Sequence, residues 1–209
     1  MPKIFELIKS GYNEFREQFA RNMQFYKKLS SEGQNPFVLY VGCSDSRVIP
    51  EKMLNLSEGD VFVVRNIANI IPPHNSKDTS VAAALEFAVK SLNIKQVIIC
   101  GHTDCGGIKA LREGGSHPEF SNINDWLKYA EPVLKHVDMT GDNSLNAMIK
   151  HNILKQKEHL LSYDFIRERY EMGTLEINSW LYDLEKGDIR MFLYSTNSWE
   201  PILVFGYQL

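Results

Sequence analysis

An α/β fold with a mainly parallel β-sheet and crossover helices is what this 209-residue sequence predicts. Three observations carry that expectation. Short runs of continuous apolar residues recur, as strands covered on both faces require. A glycine or a turn pair follows or precedes each run. Segments of helical periodicity lie between the runs, and strand–helix–strand order implies parallel pairing.

Taken in order, Ile4, Phe5, Leu7, Ile8, Tyr12, Phe15 and Phe19 recur at helical spacing, with a break at Gly11. A short helix and then a longer one ending near Gly33 are expected. This arm, residues 1–33, is richer in aromatics than a surface helix needs. Its apolar stripe either packs on the chain's own core or docks on a second subunit. Asn35-Pro36 marks a turn, and Phe37–Val41 reads as the first strand. Gly42 is expected to let the chain swing sharply beyond it. Pro50 to Leu56 suits a short helix with proline in its first turn. Asp60 to Arg65 is a second strand, Asn66 to Pro73 leaves regular structure, and Asp78 or Thr79 caps a helix that follows. Gln96 to Cys100 is a third strand, broken at Gly101. A helix starts at the glycine pair after Cys105, and GGSHPEFSN is a loop. Asn124 to Val137 and Ser144 to Tyr170 carry helical periodicity. Ile177 to Leu184 and Ile189 to Tyr194, joined by EKGD, predict an antiparallel C-terminal edge. With no repeat or linker-like stretch, residues 1–209 read as a single domain.

Composition narrows the functional classes. The net charge is −3 and no basic run occurs, which argues against nucleic acid as a partner. No apolar run is long enough to span a membrane. The N-terminal stretch lacks a signal peptide's apolar core, and Glu6, Glu14 and Glu17 argue against a transit peptide, so a cytoplasmic protein is the expectation. Three cysteines, Cys43, Cys100 and Cys105, are too few and too odd in number for a disulfide framework. Metal binding or a reactive thiol then stands beside plain burial.

The chemistry-bearing residues sit at strand ends. VLYVGCSDSR places Cys43, Asp45 and Arg47 after the first strand; His102 and Cys105 follow the third. Parallel strands end at one edge, where open α/β sheets bind ligands. Cys43, His102 and Cys105 make a Cys₂His set, one of the arrangements that leaves catalytic zinc a fourth position for water. A structural zinc would need a fourth protein ligand, and a redox thiol a nearby partner; no C-x-x-C serves either. Cys100 reads as a buried small hydrophobe. Asp45 beside a metal can accept a hydrogen bond and orient an oxygen nucleophile, with Arg47 holding it ionised. His151 and His159, too far apart to share a metal, read as surface residues, and His74 as a loop histidine or proton shuttle.

C-S-D-S-R after an apolar strand, followed much later by G-H-x-x-C-G-G, resembles the β-class carbonic anhydrases. FVVRNIANIIPP and INSWLYDLEKGDIR extend the resemblance over nearly the whole chain. It implies an α/β fold whose N-terminal helices pack on a partner subunit in a homodimer or higher homo-oligomer. It implies one Zn²⁺ per subunit on Cys43, His102 and Cys105, with Asp45 and Arg47 as a catalytic dyad. The implied reaction is reversible hydration of CO₂ to bicarbonate and a proton by hydroxide on zinc. Gln34, Phe62 and Ile67 match the substrate pocket of the plant-like branch, with Gly106 beside them; Phe87 stands where that branch often has tyrosine. A second branch has an inhibitory bicarbonate pocket with tryptophan where this chain has Tyr40, while Arg65 matches both branches. The resemblance therefore implies an open site at neutral pH. Hydrolysis of CS₂ or COS on the same scaffold, or a non-catalytic zinc-binding oligomer, are the rival readings.

Overall fold

The computed structural model describes residues 2–115, 119–137, 141 and 143–202, forming two compact units, Met1–Asn35 and Pro36–Leu209. Part of the predicted loop, residues 116–118, lies outside the described residues.

The first unit is a pair of helices, α1 (Pro2–Arg21) and α2 (Met23–Glu32). Helix α1 runs through Gly11 without a break, contrary to the sequence expectation. One glycine costs a helix about 1 kcal/mol, which a 20-residue run of hydrogen bonds absorbs. The chain turns instead at Asn22, and α2 ends at Gly33, whose φ of 77° few other residues adopt cheaply. Phe19 stacks on Tyr26 with centroids 4.4 Å apart, and Phe15 meets both rings, so the two helices are joined by aromatic contact.

The second unit is built on a six-stranded sheet among the described residues, in the order β2-β1-β3-β4-β5-β6. Strands β1 (Val38–Cys43), β2 (Val61–Asn66), β3 (Gln96–His102) and β4 (Glu176–Tyr182) run parallel. Strands β5 (Ile189–Leu193) and β6 (Ser198–Pro201) extend it antiparallel, the first pairing Trp180 with Met191. The mixed sheet with an antiparallel edge is the predicted fold class. The β6 edge is an addition that its short polar sequence did not signal.

Period-two alternation divides the strand residues between two layers. Leu39, Val41 and Cys43 of β1, with Val97 and Ile99 of β3, join the main core. Helices α4 (Ser80–Glu86), α5 (Gly106–Arg112) and α7 (Ser144–Leu161) contribute their buried residues to it. Val38, Tyr40, Ile98 and Cys100 face a smaller cluster that takes in Met53 of helix α3 (Pro50–Met53) and Leu54. Gly42 lies inside β1, opposite Arg65 and Cys100, and does not swing the chain away. Its missing side chain has another use: a Cβ there would overlap the Tyr40 ring.

Two predicted helices come apart. The 124–137 stretch is helix α6 (Ser121–Leu127) followed by a 3₁₀ run, Lys128–His136, with Pro132 inside. The 144–170 stretch divides into α7 and α8 (Asp164–Glu171), because Tyr163 leaves the helical region and its hydroxyl donates to the Pro72 carbonyl at 2.8 Å. His159 is half-buried rather than on the surface, its Nδ1 being 2.8 Å from the Ile71 carbonyl oxygen. His74 is exposed and edge-on to the Tyr163 ring.

Candidate metal centre

The register of β1 against β3 places the two functional loops side by side. Gly42 is level with Cys100, so Cys43 ends its strand beside the last residues of β3. The Sγ atoms of Cys43 and Cys105 and a ring nitrogen of His102 lie within 4.8 Å of one another, all three residues buried. Cys100 lies on the opposite layer with Tyr40 and Ile98, and burial pushes its thiol up to about 12. One strand residue of offset removes it from the centre.

Each donor is prepared by its surroundings. His102 Nδ1 is 2.8 Å from the Thr103 carbonyl, which fixes the proton there and leaves Nε2 free to ligate. Nε2 is buried and has no hydrogen-bond partner among the described residues, a costly state for a polar atom unless something else binds it. Burial pulls the imidazole's pKa down, but the adjacent Cys43 sulfur outweighs it and the net shift is upward. Cys43 titrates low, chiefly because the Cys105 side chain hydrogen-bonds its sulfur, helped by His102 and the backbone N–H groups of Asp45 and Ala68. Cys105 is pushed up by the same contact and by burial, although the N–H groups of Gly107 and Ile108 face it. The pair therefore yields its first proton readily and holds its second, as two crowded thiols must. A divalent cation replaces both protons, and thiolates with a neutral imidazole are a donor set that zinc takes. The residues fit the metal.

The turn after β2 supplies one of those N–H groups. Ala68 and Asn69 both have positive φ, 62° and 49°, a strained turn for residues with a Cβ. A buried polar network holds it. Asn152 donates to the Ala68 carbonyl at 2.9 Å, Gln156 donates to Asn152 and accepts from Ile71 N–H, and Asn66 bonds Ile70 at both its N–H and its carbonyl. Gly107 lets α5 pass beneath, since a Cβ there would be 2.8 Å from Ile67 Cγ2 and 3.0 Å from Ala68 Cβ.

Asp45 and Arg47 form a bidentate pair, one edge of the guanidinium facing both carboxylate oxygens. Arg47 Nε donates to Asp45 Oδ1 at 2.9 Å, Nη2 to Oδ2 at 2.8 Å, and the Arg47 backbone N–H to Oδ1 at 3.0 Å. The guanidinium holds the Asp45 carboxyl well below the usual carboxylate range. Asp45 Oδ2 stands 3.8 Å from His102 Nε2. Arg65 braces this loop from β2, donating to the Cys43 and Asp45 carbonyls at 2.9 and 2.7 Å.

The other predicted pocket residues are spread more widely. Ile67 lines a cleft of about 620 Å³ with Ser44, Val64, Arg65, Val81 and Trp126. Trp126 Nε1 donates to the Ile67 carbonyl at 2.9 Å, an anchor the sequence did not announce. Phe62 and Phe87 do not line that cleft; their rings meet each other with centroids 5.9 Å apart. Gly106 is exposed, and a Cβ on it would meet nothing. Gln34 is exposed within the first unit. Sequence reasoning missed Asn152 and Gln156, which only their polarity on the buried side of α7 betrays, and Asp104, which reads as a spacer in H-x-x-C.

Fold and site define an α/β enzyme with a Cys₂His metal group at the carboxyl edge of a parallel sheet. Residues 38–189 match the family model described as carbonic anhydrase. A carbonic anhydrase of Synechocystis sp. is 36% identical over 186 residues, covering 86% of this chain and 68% of that protein. Beta carbonic anhydrase 3 of Arabidopsis thaliana is 34% identical over 192 residues, covering 87% and 74%. Of solved structures, that of the β-carbonic anhydrase CcaA aligns with a TM-score of 0.88 at 32% identity, over 94% of this chain and 98% of that one. A tetrameric β-carbonic anhydrase from Sordaria macrospora aligns at 0.79 with 29% identity, over 91% and 97%. The chain belongs to the β-class carbonic anhydrases.

Proposed function

We propose that this protein is a carbonate dehydratase that hydrates CO₂ reversibly to bicarbonate and a proton, with zinc held by Cys43, His102 and Cys105. One observation carries the reading: three buried donors within 4.8 Å of one another, with a carboxylate oxygen of Asp45 3.8 Å from His102 Nε2. Zinc, when bound, supplies Lewis acidity that makes water acidic enough to furnish hydroxide near neutral pH.

The chain's own residues do the rest. Asp45 accepts a hydrogen bond from the reacting water and so turns an oxygen lone pair toward CO₂. Arg47 keeps that carboxylate ionised and fixed in plane, and as a fully donating group it leaves Asp45 the acceptor. Because Asp45 is bound to Arg47 on both oxygens, the pairing favours an open site. CO₂ has no net dipole, so an apolar wall suits it, and Ile67 on the cleft supplies such a surface.

The exposed apolar face of α1, with Ile4, Phe5, Leu7 and Ile8 each more than 60% exposed, supports a homo-oligomer of at least two copies in which this arm packs on a partner. Residues 1–209 then act as one catalytic domain with a helical arm at 1–33. No helix among the described residues is long and apolar enough to cross a membrane.

Metal analysis with stopped-flow CO₂ hydration tests the reading. About one zinc per chain and rapid hydration are expected, with CS₂ and COS turned over far more slowly. Stoichiometric zinc with no hydration, or CS₂ as the faster substrate, defeats it.

A further inference from the structure

The chemistry above leaves one charged side chain beside the centre without a role. Asp104 lies between His102 and Cys105 with φ 55°, a left-handed conformation that aspartate tolerates better than most residues. Its carboxylate reaches the other functional loop: Oδ2 accepts from Arg47 Nη1 at 3.0 Å, and its carbonyl oxygen accepts from Nη2 at 3.2 Å. The Nε and Nη2 edge of the same guanidinium holds Asp45. Arg47 is thus gripped on two edges by carboxylates from two loops.

We infer that Asp104 is a positioning residue for CO₂ hydration: it pins the Arg47 guanidinium and thereby sets where the Asp45 carboxylate stands beside Cys43, His102 and Cys105. The inference rests on the proposed hydration of CO₂. Folding stability is a poor alternative account of the contact. The Arg47 and Asp104 side chains are 50% and 64% exposed, and ion pairs so wetted contribute little to stability. Their effect falls on geometry. An arginine paired with one carboxylate two residues away can swing as a unit with it, because both belong to one loop. An anchor 57 residues distant in sequence, on the loop that carries two of the three metal donors, removes that freedom. Arginine suits the task because its planar fork offers donors on separate edges, which lysine lacks.

Asp104→Ala and Asp104→Asn are compared with the wild type in the zinc-loaded full chain. Asp104→Ala is expected to lower kcat/KM for CO₂ by about five- to twentyfold, the scale of a sub-ångström misplacement of a reacting partner. Asp104→Asn keeps an oxygen for Nη1 and is expected to recover to within about threefold of wild type. Zinc content and Tm stay at wild-type values in both. In an Arg47→Ala background, Asp104→Ala is expected to change nothing further, since the two residues act as a unit. Independently of turnover, the Arg47 Nε–H nitrogen-15 resonance should be slow to exchange in the wild type and fast in Asp104→Ala. Wild-type kcat/KM with an unchanged Arg47 signal in Asp104→Ala overturns the inference. So does an equal loss in the Arg47→Ala background, or a fall in Tm that Asp104→Asn shares. A wild type that does not hydrate CO₂ defeats the functional reading instead, and the Arg47 resonance alone then decides the clasp.

Discussion

The two functional loops at the sheet edge and the N-terminal arm treat apolar and reactive side chains in opposite ways. At the edge, Cys43, His102 and Cys105 are at most 5% exposed, and backbone N–H or carbonyl groups face each of them. In Met1–Asn35 no described residue is buried, and Phe5 and Leu7 are 67% and 73% exposed. The sheet unit gathers its candidate donors by long-range pairing, β1 against β3, whereas the described ring contacts of the arm join its own Phe15, Phe19, Phe25 and Tyr26. The difference teaches that an apolar stripe states a demand for burial without saying where it is met. A parallel register states where side chains must go.

The comparison breaks most completely at the metal group. Cys43→Ser or His102→Ala should lose zinc on dialysis and lower hydration by on the order of 10³-fold, because the metal supplies the nucleophile. Metal analysis beside stopped-flow assay checks this, and zinc retained at full stoichiometry in either variant counts against the ligand assignment. The arm should answer to a different measurement. Phe5→Glu with Ile8→Glu places two charges on its exposed apolar face and should shift the mass in light scattering toward the monomer while the sheet unit keeps its circular dichroism. An unchanged mass means the arm is not an interface.

A smaller effect sharpens the picture inside the sheet unit. Gly107→Ala sets a Cβ 2.8 Å from Ile67 Cγ2 and 3.0 Å from Ala68 Cβ, so overpacking should destabilise by about 1–3 kcal/mol. Urea midpoints measure it; Gly11→Ala in the arm, where a Cβ meets nothing, should be neutral or slightly stabilising. The smallest effect concerns acid. Burial lowers the His159 pKa in the fold below its unfolded value near 6.5, so the group contributes stability above that pH and the contribution is lost as pH falls through the folded value. The wild type should weaken between pH 7.5 and 5.5 more than His159→Gln does, read from urea midpoints at the two pH values.

The first five strands and the candidate metal donors were legible in the sequence for one reason: each is a local signal. Five of the six strands among the described residues carry runs of apolar residues, and a cysteine or histidine beside a glycine at a strand end needs no partner to be noticed. The missed features are non-local. Helix α1 continues through Gly11 because its length outweighs one poor residue, and no local pattern weighs the two. Tyr163 divides the predicted 144–170 helix because its hydroxyl finds a carbonyl 91 residues away. Asp104 is one of two variable letters in H-x-x-C until the fold brings Arg47 to it.

The sequence alone pointed to the α/β architecture, the candidate donors and the Asp45–Arg47 pair, since alternation, turn residues and ligand chemistry are written within a few residues of each other. The tertiary structure was needed to show that a left-handed turn at Ala68 aims an N–H at the Cys43 sulfur and that one guanidinium is shared by two loops. Those outcomes depend on register and on hydrogen bonds between groups tens of residues apart, and distance in the chain carries no information about them.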